Sequence, residues 1–219
     1  GASALVGTIY LDTFSPAETP EKTLKEITST LESFQLLGVE TVVIDLLNNG
    51  GGSLSLGMAL AQALSPEKID LPRIQLRTSD SWMDQFEQDS ISANNDSERE
   101  LSRRILADLS VSRRAGSLLS PIYSADILAP FQFEGNDKLK QKFKVAVLIN
   151  EMCASMCDIF SANLQDNGLA TVVGTRSMGA GGNVVGYNQA PNSHFDVRQT
   201  ESLIVRKDGS YVENEGTKP

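Results

Sequence analysis

Residues 41–64, TVVIDLLNNGGGSLSLGMALAQAL, change character twice in a short span. Thr41-Val42-Val43-Ile44-Asp45-Leu46-Leu47 is apolar on both faces, as in a strand covered on both sides within a parallel sheet. Asn48-Asn49-Gly50-Gly51-Gly52 then makes a sharp loop. Ser53 can cap the helix that follows, Leu54 to Leu64, and Ser65-Pro66 stops it. Upstream, Ala4 to Leu11 has the look of a strand. Thr19-Pro20 starts a helix whose Leu24, Ile27, Leu31 and Phe34 form an apolar stripe, and Gly38 ends it. Strand, helix, strand, loop and helix in this order predict a parallel α/β core.

The pattern returns later in the chain. Lys144-Val145-Ala146-Val147-Leu148-Ile149 is a second buried strand, followed by a helix from about Ala154 to Gln165 and a strand over Thr171 to Gly174. Gly182 to Tyr187 and Thr200 to Lys207 alternate like paired strands, and Lys207-Asp208-Gly209 turns the chain into Ser210-Tyr211-Val212. Between these blocks the composition becomes polar. Residues 75–140 hold Ser79-Asp80-Ser81, Asn94-Asn95-Asp96 and the sole tryptophan, Trp82. Ser97-Glu98-Arg99-Glu100 has the form of a capping box ahead of Leu101, Ile105 and Leu109. This stretch is expected to be a helical, partly mobile insertion, either a lid or solvated filler.

The length of 219 residues suits one sizeable core. A formal net charge of -9 argues against a nucleic-acid or anionic-membrane surface. No apolar run approaches the ~20 residues of a membrane span. Because the first residues already resemble a strand in mid-domain, the chain is expected to be the C-terminal part of a longer protein. Cys153 and Cys157, four apart, would share a helix face, where a disulfide would strain the geometry; they are expected to be small buried thiols. One histidine and two cysteines make no closed metal-ligand set.

Ser155 follows a buried strand and falls in the first turn of a helix. There, unpaired backbone N–H groups and the helix dipole favour a developing negative charge. The N–H of Met156 is a natural oxyanion donor, and Gly51 or Gly52 can supply a second if the two strands end side by side. A plain helix cap is the alternative use of the Ser155 hydroxyl. The triple glycine lacks the Lys-Ser/Thr ending of a phosphate loop. His194 lies in QAPNSHFDV and is expected to be an exposed loop or strand-edge residue. Asp166 and Asn167 are expected to end a helix.

Taken together, VVIDLLNNGGGSLSLGMALAQAL and VAVLINEMCASMCDIFSANLQDNGLATVVGTRSMGAGG resemble the tail-specific, or C-terminal-processing, serine peptidase family, over most of residues 5–75 and 143–219. The resemblance implies a ClpP/crotonase-like α/β core, a nucleophile at Ser155 with Asp158 three residues on, and an oxyanion hole from the glycine loop and the residue after the serine. Gln165-Asp166-Asn167-Gly168 matches the family's turn. The lysine base of that family would fall at Ala180, where no base exists. TRSMGAGGNVV and TESLIVRKDGSYVENEGTKP are similar instead to the branch of the chlamydial protease-like activity factor and the tricorn core. That branch uses serine, histidine and glutamate. Its glutamate matches Glu213, with Glu215 in reserve, and its histidine lies upstream of the segment that begins here.

The resemblance therefore implies a serine endopeptidase acting through an acyl-enzyme on Ser155, its base an imidazole from an N-terminal region of the same protein. Glu213 alone is a poor base for serine, with an unperturbed pKa near ~4.3, but it can orient the base and stabilise its cation. The implied substrate is a protein or peptide. No metal or organic cofactor is implied, a homodimer is compatible, and a periplasmic or secreted location follows from resemblance alone. A non-catalytic peptide- or lipid-binding domain on the same scaffold is the competing expectation, favoured by the absent lysine. An engineered loss of that lysine is a third.

Overall fold

The computed structural model describes residues 4–128, 136, 138–139, 143–187 and 197–219. Its elements run β1 (Val6–Tyr10), α1 (Pro20–Leu36), β2 (Thr41–Asp45), α2 (Leu54–Ala63), β3 (Arg73–Arg77), α3 (Asp80–Ser92), α4 (Asp96–Arg114) and β4 (Leu119–Ser124). After a short 3₁₀ turn at Ala125–Ile127 come β5 (Lys144–Ile149), α5 (Met156–Asp166), β6 (Ala170–Gly174), β7 (Val184–Tyr187), β8 (Val197–Thr200) and β9 (Ser202–Val205).

Four strands form the expected parallel sheet in the order β1-β2-β5-β6. Val42 pairs with Gly7 on one side and Val145 on the other, and Ile44 with Ile9 and Val147. Their apolar side chains join Leu56, Met58 and Leu60 of α2 and Met156, Phe160 and Leu164 of α5 in one continuous core. The rings of Phe14 and Phe160 meet there at 5.3 Å. Local signals set the helix starts as expected. The side chains of Thr19 and Ser53 accept from the N–H groups of Lys22 and Leu56, and Gly38 sits at a φ of +75° just past α1. Among the described residues no helix is long and apolar enough to cross a membrane.

The segment expected to be a helical insertion contributes helices and strands alike. β3 pairs antiparallel with β4 and with β9, in the order β4-β3-β9. The alternation Arg73-Ile74-Gln75-Leu76-Arg77 buries Ile74 and Leu76, and period-two burial is the mark of a half-covered strand. The expected pairing of 182–187 with 200–207 is thereby corrected: β9 turns to β3, while β7 takes β8 as its partner; the turn at Lys207-Asp208-Gly209 forms as expected, bridging Val205 to Tyr211. The capping box at Ser97 also shifts. Asn95 caps α4 by accepting from Glu98 N–H at 2.9 Å, and the Glu98 carboxylate accepts from Asn94 N–H at 3.0 Å. The box therefore forms two residues early, and Ile105 and Leu109 are fully buried on the face it sets up.

Candidate active site

The loops after β2 and β5 leave the same end of the parallel sheet, where open α/β folds bind ligands. They are stitched together. Asn48 N–H donates to Asn150 Oδ1 at 3.0 Å, Asn150 Nδ2 donates to Asn48 Oδ1 at 2.9 Å, and Ala154 N–H donates to Asn49 O at 3.1 Å. Ser155 stands where the second loop becomes α5. It lies one position outside the helix rather than in its first turn, with φ 54° and ψ -122°, and its side chain makes no capping bond. The helix-cap alternative is thus corrected. A non-glycine residue in this region costs on the order of 1–3 kcal/mol and persists only where its surroundings enforce it. Here Ser155 N–H donates to Ala180 O at 3.0 Å and Met178 N–H to Cys153 O at 2.9 Å.

A disulfide joins Cys153 to Cys157 across the elbow, with 5.2 Å between Cα atoms. The expectation of free thiols is overturned. Cys153 belongs to the loop, outside the helix, so the pair spans loop and first turn and meets an ordinary disulfide separation.

Gly51 is pressed against this elbow. A Cβ on it would lie 2.6 Å from Ser155 Cβ and 2.8 Å from Met156 N, and its φ is +98°. Glycine is therefore required by space and by conformation. The Gly51 N–H, however, is committed to Asn49 Oδ1 at 2.8 Å, and buried Asn49 is itself fixed by donating Nδ2 to Leu11 O at 2.8 Å. The bridge between Phe14 and Gly52 uses the Gly51 carbonyl and the Ser53 amide, so the Gly52 N–H lies outside it. Gly52 and Met156 both line the cavity at Ser155, about 370 Å³ in volume. Met156 opens α5, where backbone amides lack intrahelical partners. Among the described residues, Gly52 is the one of the two glycines whose N–H makes no hydrogen bond. Asn49 decides this, and the sequence marks it only by its position beside the glycines.

Asp158 is fully buried one turn into α5. Its carboxylate accepts from the Ser177 hydroxyl, from Gly179 N–H at 3.0 Å and from Ala180 N–H at 2.9 Å. Burial raises its pKa, and these hydrogen bonds oppose the rise. Asp158 thus pins the turn whose Ala180 carbonyl holds Ser155 N–H. Ala180, where the family's lysine would fall, is in backbone contact with Ser155 and lines its cavity. A methyl group there accepts no proton.

Glu213 approaches from the chain's end. The turn at 207–210 brings Tyr211 beside Val205, and Asn214 N–H donates to Gly179 O at 2.8 Å, tying this segment to the same glycine turn. Glu213 Oε2 accepts from Ile204 N–H at 2.9 Å, whereas Oε1 is buried without a partner. Burial, opposed by backbone hydrogen bonds and reinforced by the charge of Asp158, pushes its pKa up to about 7. A Cβ on Gly182 would lie 3.0 Å from Glu213 Oε1, and Gly182 lines the Ser155 cavity. Gly182 thus touches both the cavity and the Glu213 carboxylate, while Glu213 itself is not among the residues that line the cavity. The reserve candidate Glu215 is exposed and paired with Lys218 at 2.7 Å, which lowers its pKa.

The remaining candidates separate cleanly. Asp166 takes the Arg206 guanidinium at 2.5 Å and Lys207 N–H at 3.1 Å, and Asn167 exchanges two 3.0 Å bonds with the Asp70 backbone. They clamp the far end of α5, as a helix-ending turn should. His194 lies outside the described residues.

The sequence signature described as Peptidase family S41 matches residues 5–219. A Chlamydia muridarum protein that carries no assigned function is 32% identical over 204 residues, which cover 82% of this chain and 33% of that protein. Mature CPAF, solved with lactacystin, superposes with a TM-score of 0.72 at 25% identity, over 98% of this chain and 46% of CPAF. The photosystem II D1 C-terminal processing protease shares the fold, with a TM-score of 0.58 at 20% identity over 98% of this chain and 41% of its own. The chain thus spans about a third of the length of the curated relatives it matches.

Proposed function

The chain belongs to peptidase family S41, and on that premise we propose that it is the nucleophile-bearing part of a serine endopeptidase whose general base is an imidazole from another region of the complete protein. Ser155 Oγ attacks the scissile carbonyl carbon and gives its proton to that imidazole. The carbonyl oxygen becomes an oxyanion facing the N–H groups of Gly52 and Met156. Collapse of the intermediate breaks the C–N bond, the amine leaves with the proton from the imidazolium, and water then releases the acyl group by the same steps. Glu213 acts through the imidazole, accepting its second N–H on Oε1 and stabilising the cation.

The observation that carries this reading is the buried, unpartnered Oε1 of Glu213 beside a cavity opened by a serine in a strained elbow. A buried carboxylate oxygen without a donor is costly unless something donates to it. An imidazole N–H would meet that need and explain why Ala180 requires no amine. Leu54, Ile74, Leu128, Met156, Ile159 and Ile204 give the cavity much apolar lining, which suits an apolar substrate side chain. The Cys153–Cys157 disulfide supports a secreted or periplasmic location, because such bonds persist in oxidising compartments.

The competing reading, a peptide- or lipid-binding domain without catalysis, draws on the same missing amine at Ala180. A fluorophosphonate probe applied to the complete protein separates the two. Labelling that vanishes in Ser155→Ala supports the peptidase. A complete protein that binds peptide or lipid yet never labels supports the carrier.

A further inference from the structure

The helical insertion builds a second cavity, about 460 Å³, beside the one at Ser155. Trp82 and Phe86 of α3, Ile127 and Leu128 after β4, and Asn183 and Val185 at β7 line it. Leu128 and Asn183 line both cavities, and Val184, between Asn183 and Val185, faces the first. The two spaces therefore adjoin along the start of β7. The second is equipped for a large apolar group. Trp82 and Phe86, one helical turn apart, stack with ring centroids at 5.8 Å. The indole N–H donates to Glu201 O at 2.8 Å, which fixes the ring and leaves only its apolar body to offer. Ser81, Gln85 and Asp89 stand among the lining as its polar members on the same helix.

We propose that this cavity is a second substrate subsite, taking an aromatic or large aliphatic side chain of the peptide whose scissile bond lies at Ser155. The occupant follows from continuity: a chain held at Ser155 and running along β7 passes directly from one cavity to the other. An extended peptide rises ~3.3 Å per residue and sends alternate side chains to the same face. The side chain reaching α3 is therefore a neighbour, within a few positions, of the one in the first cavity. Among the described residues β7 pairs only with β8, so a strand edge remains for such a chain. The insertion then serves as a specificity element, with Trp82 and Phe86 as its anchors. This inference rests on the peptidase reading of the Ser155 site.

Trp82 is the only tryptophan of the chain, so its emission reports this cavity directly. The test uses the 219-residue chain with Ser155→Ala, which binds without turnover. Fluorescein-labelled peptides of one apolar sequence, with Phe or Ala scanned along it, are titrated while anisotropy and Trp82 emission are followed. At one position Phe is expected to tighten binding about tenfold over Ala, in the range for one apolar side chain, and to shift Trp82 emission to shorter wavelength. Val185→Asp should abolish that preference and leave peptides too short to reach α3 unaffected, with an unchanged melting curve as the check on folding. Equal affinity of Phe and Ala peptides at every position, or tight binding that leaves Trp82 emission unmoved, overturns the subsite. Because Ser155 is absent from the assay, failure of fluorophosphonate labelling in the wild-type protein would count against the nucleophile and not against this cavity.

Discussion

Asp158 and Glu213 both lie against the glycine turn at 179–182, both are drawn out of water, and burial raises the pKa of each. Their partners differ. Between them the two oxygens of Asp158 accept from Ser177, Gly179 and Ala180. Glu213 has one oxygen on Ile204 N–H, while the other, beside the Gly182 backbone, makes no full hydrogen bond among the described residues. A satisfied buried carboxylate belongs to the architecture, and a half-satisfied one awaits a donor. The contrast fits Asp158 as the support of the elbow and, on the proposed mechanism, Glu213 as the partner of the base, although sequence alone gives both the same residue class in the same neighbourhood.

The largest effect should come from Glu213→Gln in the complete protein. The amide keeps the shape but loses the charge that stabilises an imidazolium, so kcat should fall by about 10²–10⁴-fold, with a melting temperature equal to or above wild type. A drop in stability with unchanged kcat would make Glu213 a second Asp158. Asp158→Asn should do the reverse. An amide presents one acceptor oxygen where three donors converge, so at least one is left unpaired, at about 1–3 kcal/mol measured by urea unfolding.

Gly51→Ala probes the wall between the two loops. Its Cβ would strike Ser155 and its φ would be strained, at a cost of about 1–3 kcal/mol, and fluorophosphonate labelling should be lost with it. Replacing Cys153 and Cys157 together by serine should lower stability by about 2 kcal/mol, the scale for so short a loop. Reduction of the wild-type chain should reproduce that loss.

The smallest effect is a pH slope. A carboxyl whose folded pKa lies above its unfolded value holds more protons folded than unfolded between the two. Glu213, raised to about 7, should therefore lower the stability of the chain as pH rises from the ordinary carboxylate range to about 7. Asp158 contributes in the same direction, so the informative quantity is the difference between wild type and Glu213→Gln, which should be less steep.

The parallel core was legible because covered strands are continuous apolar runs and helices announce themselves by caps such as Thr19 and Ser53. The β4-β3-β9 sheet was hidden because β3 hides two buried residues among charged ones inside a polar region, and because its partner β9 lies 129 residues on from Arg73 to Ser202. Ser155, Glu213 and the glycine loop could be matched from resemblance. Choosing Gly52 over Gly51 could not, since it turns on where the Asn49 side chain points. Nor could the disulfide, since spacing is informative only once Cys153 is known to lie outside the helix.

In the proposed mechanism Glu213 receives an imidazole that serves Ser155 as base. The direct measurement is the fluorophosphonate labelling rate of the 219-residue chain as free imidazole is added, for wild type and Glu213→Gln. Labelling should be slow without imidazole, faster with it in wild type, and little changed by it in the glutamine variant. Fast labelling with no imidazole present, or equal acceleration in both proteins, would contradict that mechanism.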